Sequence, residues 1–147
     1  MKIANDAWIL VADGRKALLL KNAGDEVYPN LKVETVIEDR KNAATREQGT
    51  DQPGRVQAGA TGRRSAVDQT DWHDAEEARF LAEVADEVEM LRRRHGIERL
   101  VVVAPPRALS QLRAAMPDSI RAIVAAELDK DLTRHPVGEI ERALVAH

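Results

Sequence analysis

The sequence predicts an α/β domain with a five-stranded mixed sheet and helices on its faces. Three observations carry this. Residues 7–12 (AWILVA) and 99–104 (RLVVVA) are nearly unbroken apolar runs, as strands buried on both faces require. The first three strand-like segments follow one another with only turn-forming residues between them. Beyond residue 71, amphipathic helical patterns alternate with short apolar runs. The predicted order is β-β-β-loop-α-β-α-β-α, with three antiparallel strands followed by two that add in parallel through helices.

The first strand ends at Asp13-Gly14, a two-residue hairpin signal. Residues 16–21 (KALLLK) return as the second strand, and 22–30 (NAGDEVYPN) are rich in turn formers. Residues 31–38 (LKVETVIE) alternate, which predicts a third strand. Leu31, Val33, Thr35 and Ile37 should share one face, and the other should be wet. A helix should start near Asp71 or His73, capped by Asp71, with Ala78, Leu81, Val84, Val88 and Leu91 facing inward. Arg92, Arg93 and Arg94 fall in its last turn and Gly96 suits a left-handed cap. After the strand at 99–104, Pro105 and Pro106 open a helix over 107–115. A short helical turn over 117–121, a fifth strand over 122–127 and a last helix over 136–146 complete the chain.

The 147 residues suit one domain spanning 1–147. Only 3% are aromatic, so Ala, Val, Leu and Ile must build the core. A net charge of −3 argues against a globally basic nucleic-acid binder, though not against a local basic patch. The absence of cysteine excludes disulfides, thiolate nucleophiles and Cys-ligated zinc. The apolar run at the N-terminus is too short for a signal-peptide core or a membrane span, so a cytoplasmic protein without a membrane partner is expected.

The long polar stretch from about Arg40 to Asp71 is the unusual feature. Its span 46–73 contains no Leu, Ile, Met, Phe or Tyr, and the stretch holds Gly49, Gly54, Gly59 and Gly62. Six basic residues (Arg40, Lys41, Arg46, Arg55, Arg63, Arg64) face four acids (Glu47, Asp51, Asp68, Asp71), leaving +2 inside an acidic chain. A loop this long in a compact domain points to function, disorder or both. Within it, REQGTDQPGR sets Arg46, Glu47, Asp51 and Arg55 around Gly49, Pro53 and Gly54. That set either ties down a compact turn by charge-assisted hydrogen bonds or forms a recognition surface. The candidate binding residues are Arg46, Gln48, Gly49, Asp51, Gly54, Arg55, Gly59, Gly62, Arg63 and Arg64.

No catalytic residue, metal site or cofactor is expected. Asp13 lies in a hairpin turn and the fourth strand ends Val103-Ala104-Pro105, so a two-metal carboxylate set is missing there. His73, His95, His135 and His147 form no helical i, i+4 pair. Ser65 and Ser110 lack a nucleophile elbow, and Gly59-Ala60-Thr61-Gly62 lacks the Lys-Ser/Thr of a phosphate loop. Arg92, Arg93, Arg94, Arg99, Arg107 and Arg113 form a solvated face and a helix terminus, with a second nucleic-acid contact as the alternative.

The order of elements, with its long loop after the third strand, resembles the ribonuclease-H-like middle domain of archaeo-eukaryotic peptide-chain release factors and their Pelota-type relatives. Within that group the sequence looks most like bacterial proteins described as required for attachment to host cells. The segments carrying this closer resemblance are WILVADGRKALLL, REQGTDQPGR, DWHDAEEARFLAEVADEVE, LVVVAPPRALSQLRAAMP and ELDKDLTRHP. In release factors of this type, the loop after the third strand carries Gly-Gly-Gln into the ribosomal peptidyl-transferase centre. This loop lacks the tripeptide; its nearest stretch is Gly59-Ala60-Thr61-Gly62-Arg63-Arg64, and Gln48, Gln52, Gln57 and Gln69 follow no glycine pair. The resemblance therefore implies no peptidyl-tRNA hydrolysis. Pelota-type proteins also lack the tripeptide, so a non-enzymatic role at the ribosome or tRNA remains implied. A protein partner or an indirect regulatory role is the alternative, and a hydrolase is a third.

Overall fold

The computed structural model describes residues 1–39 and 66–147, with side chains from residue 72 onward in the second span. Among the described residues nine elements follow one another: β1 (Trp8–Ala12), β2 (Lys16–Asn22), β3 (Leu31–Glu38), α1 (Ala66–His95), β4 (Leu100–Val103), α2 (Pro106–Ala115), α3 (Asp118–Arg121), β5 (Val124–Leu128) and α4 (Val137–Ala146). The sheet is five-stranded and mixed, in the order β3-β2-β1-β4-β5. β1 pairs antiparallel with β2 and parallel with β4, β2 pairs antiparallel with β3, and β4 pairs parallel with β5. This order is consistent with the ribonuclease-H-like arrangement.

Each sheet face carries its own core, because side chains alternate along every strand. On one face Trp8, Leu10, Leu19, Leu100 and Val102 pack under α1, α2 and α3. On the other, Ile9, Val11, Leu18, Leu20, Val101 and Val103 pack against Ile140 and Leu144 of α4. β1 is buried throughout, which is why it shows no alternation.

β3 departs from the predicted pattern. Leu19 pairs with Thr35 while Leu20 pairs with Val33, so Glu34 is an extra residue in the ladder. Such a bulge flips the residues beyond it to the opposite face. Leu31 thus joins the α4-side core, while Ile37 packs on the α1-side core. They do not share a face.

The turns are held by side chains. Asp13 Oδ1 accepts from the N–H groups of Arg15 and Lys16, each at 2.8 Å, and Asp13 N–H donates to the Lys16 carbonyl. The two loop residues are therefore Gly14 and Arg15, one step later than Asp13-Gly14, and neither has positive φ. A Cβ on Gly14 would lie 2.5 Å from Cδ of Glu77, so glycine here makes room for α1. The second turn is organised by Asn22, which is fully buried. Its Nδ2 donates to the carbonyls of Ile3, Ala4 and Asp25, and its Oδ1 accepts from the N–H groups of Gly24 and Asn30. A buried amide so fully satisfied locks the N-terminal segment to this turn.

α1 begins at Ala66, several residues before the predicted Asp71 or His73, so residues 66–71 of the predicted 40–71 loop are helical. Asp71 lies inside the helix instead of capping it. Its inward residues are Phe80, Leu81, Val84, Ala85, Val88 and Leu91, whereas Ala78 is exposed. The helix ends as predicted. Gly96 has φ +64°, and the Ile97 N–H reaches the Arg92 carbonyl at 3.1 Å, as in a Schellman cap. Ile97 is buried in the core beneath.

Glu89 ties that end of α1 to α3. Its carboxylate accepts from Arg92, from Arg93 and from the Ser119 hydroxyl at 2.7 Å. The Arg92 hydrogen bond, then that of Ser119, lowers its pKa to about 2, against a smaller upward push from burial. A pKa depressed on folding means stability that is present above the unfolded value, about 4.5, and lost as pH falls toward 2. Urea midpoints of wild type and Glu89→Gln should therefore differ near neutral pH and converge across that window. A difference that persists unchanged at low pH would assign the effect to something other than this charge.

Candidate binding surface

β1, β4 and β5 run parallel, and β3 shares their direction because two antiparallel pairings separate it from β1. Their carboxyl ends therefore meet at one rim. In open α/β sheets, ligands gather outside such ends, where strand connections diverge to either side. Here the chain leaves β4 for α2 on one face of the sheet and leaves β5 for α4 on the other. A cleft of about 570 Å³ opens at this point, lined among others by Arg15, Lys16, Asp39, Glu77, Arg107 and Arg134.

Of the four acids lining the cleft, Asp13 and Asp39 are engaged, whereas Glu38 and Glu77 form no ion pair among the described residues. Asp13 uses one oxygen on the turn and the other to accept from the Thr133 hydroxyl at 2.7 Å. Thr133 itself is buried. Asp13 is thus a turn residue that also anchors the segment after β5. Asp39 is buried and its two oxygens accept from Arg79 at 3.1 and 3.3 Å. Arg79 also holds Glu76 and Glu83, and its pKa is raised, foremost by the Asp39 hydrogen bond. Among the described residues, Arg107 pairs with Asp74, while Arg15 and Arg134 are exposed and form no ion pair. No group of three or more His, Asp or Glu side chains converges as a metal site among the described residues.

Asp39 is the last described residue before the polar segment, and the Asp39 N–H bonds the Arg15 carbonyl at 3.0 Å. β3 therefore ends at this rim, followed by a residue clamped to α1 by an arginine. No local pattern announces that clamp. Glu76, Arg79 and Glu83 have helical pair spacing, but Asp39 is 40 residues away.

A family model described as "Protein required for attachment to host cells" matches residues 8–144. The chain belongs to this family. None of the curated proteins matches it. The host-attachment match runs from β1 to within α4 and takes in the whole sheet, the rim and the polar segment. The predicted site residues of this family member, Arg46, Gln48, Gly49, Asp51, Gly54, Arg55, Gly59, Gly62, Arg63 and Arg64, lie outside the described residues. Of the arginines noted for a second contact, Arg92 and Arg93 are engaged by Glu89, Arg107 by Asp74 and Arg113 by Glu127. No helix among the described residues is long and apolar enough to cross a membrane.

Proposed function

We propose that this host-attachment family protein is a non-enzymatic RNA-binding module of the release-factor middle-domain type, acting at the ribosome in the cytoplasm. The observation that carries this is the charge of the segment between β3 and α1. With α1 beginning at Ala66, Asp68 and Asp71 belong to the helix. The span 40–65 then holds six basic residues against two acids, Glu47 and Asp51, leaving +4 in a chain of −3. It follows Asp39, at a rim where Arg15 and Arg134, like Glu38 and Glu77, form no ion pair among the described residues. A glycine-bearing cationic segment lets backbone and arginines approach phosphates closely. The missing Gly-Gly-Gln removes ester hydrolysis from the reading, so a host-attachment phenotype would follow indirectly from binding.

A second reading is a partner-binding or regulatory factor that does not touch RNA. The exposed Val33 and Val36 on edge strand β3 favour it. Ribosome co-sedimentation separates the two. The purified protein should pellet with ribosomes at about 50 mM salt and much less at about 200 mM. A variant with Arg55, Arg63 and Arg64 changed to Ala should stay in the supernatant. Pelleting that ignores both salt and the substitutions would favour the second reading.

A further inference from the structure

Both outer strands of the sheet are open. Among the described residues β3 pairs with β2 alone and β5 with β4 alone, so each keeps a row of backbone N–H and C=O groups without a neighbouring strand. The two edges differ in charge. β3 carries Glu34 and Glu38 against Lys32, all three exposed. It also carries Val33, 43% exposed, and Val36, 51% exposed. These valines stand opposite Leu20 and Leu18 and so face the α4 side of the sheet. β5 lies between two grooves, of about 560 Å³ on the α2 side and about 270 Å³ on the α4 side. Their linings carry Lys2, Arg99, Arg113 and Arg121 against one acid, Glu127, which Arg113 already holds. Lys2, Arg99 and Arg121 are exposed and form no ion pair among the described residues.

The register across the sheet matches the two edges. Val33 stands level with Leu20, Ile9, Val101 and Ala126, and Val36 with Leu18, Val11, Val103 and Leu128. β3 and β5 run in the same direction, and their bulges, at Glu34 and Ala125, lie on either side of the Val33–Ala126 level. A second copy set beside the first without being turned over therefore lays β3 along β5. Val33 then comes to Ala126 at the α4-side groove, and a net-acidic strand meets net-basic linings. Pairing like edges is the weaker arrangement, because β3 on β3 gathers carboxylates and β5 on β5 gathers cations. We infer that a second copy of this chain docks its β3 on β5, extending the sheet head to tail. Such a contact is heterologous, so it does not close at two copies and can repeat. Main-chain hydrogen bonds of the added strand supply affinity, and its alternate side chains enter the flanking grooves. One strand edge is a small interface, so the association is weak, and salt weakens it further. The inference does not depend on what the polar segment binds.

Sedimentation equilibrium of the purified protein, from low micromolar to near-millimolar concentration, tests this. The mean mass should climb past that of a dimer, and less steeply in higher salt. Val33→Arg blocks the β3 edge, and Ala125→Arg, at an exposed alanine of the α4-side groove, blocks the β5 edge. Each variant alone should stay a monomer. Mixed, they should form a one-to-one dimer and nothing larger, because one open β5 meets one open β3. That complementation also shows that both variants are folded. A wild type that stays monomeric throughout, or that stops at a dimer, would overturn the inference. So would variants that assemble like wild type, or a mixture without dimer whose components keep the wild-type circular dichroism.

Discussion

Phe80→Ala should destabilise the domain by about 3–5 kcal/mol, the range for removing a fully buried phenyl ring. Phe80 has no exposed surface and is the one phenylalanine of the chain. It lies in the cluster with Leu81, Val84 and Val88 of α1 and with Leu10 and Leu19 of the sheet. The neighbours are aliphatic and fixed on strands and helix, so they cannot collapse far enough to fill the space. Domains of this size are stable by only about 5–15 kcal/mol. Urea unfolding should show the loss as a lowered midpoint with little change in slope. Phe80→Leu, which keeps most of the volume, should cost much less. A Phe80→Ala loss under about 1 kcal/mol would contradict the placement of this ring at the core's centre.

Arg79→Ala should cost about 2 kcal/mol, below the usual range for breaking a buried ion pair. The two partners differ in exposure: the Asp39 side chain is 3% exposed and that of Arg79 is 29%. Water can thus reach the arginine and partly replace it. Glu83→Ala is the internal comparison, because it removes an exposed i, i+4 pair with the same arginine. That change should stay within about 0.5 kcal/mol. Equal losses in the two variants would show that the Asp39 contact has no special weight. The functional consequence follows from position. Asp39 fixes the end of β3 to α1 next to residue 40, so on the proposed reading loosening the pair should also weaken RNA binding.

Local sequence is informative wherever the side-chain period is set by one packed face. LKVETVIE carries the bounds of β3, and the Arg92–Gly96–Ile97 run carries the end of α1. The misreadings share a cause. α1 begins at Ala66, where AVDQT shows no apolar period to mark a helix. Spacing alone favours Ala78 for the inward face, but the face runs through Phe80 and reaches the β1–β2 turn at Glu77. The bulge at Glu34 follows from pairing with β2 and leaves no mark within β3 itself. The rim is the least legible part. Asp39–Arg79 and Asp13–Thr133 join residues 40 and 120 positions apart. Only the fold brings such pairs together, whereas the charge of the polar segment is visible from composition alone.

The measurement that tests the central claim most directly is the salt dependence of RNA affinity, for wild type and for the variant with Arg55, Arg63 and Arg64 changed to Ala. A plot of log K against log salt should fall steeply for wild type. The variant should bind more weakly with a slope shallower by about two, near 0.7 for each single-strand phosphate that is no longer neutralised. No RNA affinity at low salt, or equal slopes for the two proteins, would contradict the claim that this segment is the RNA-binding part of the chain.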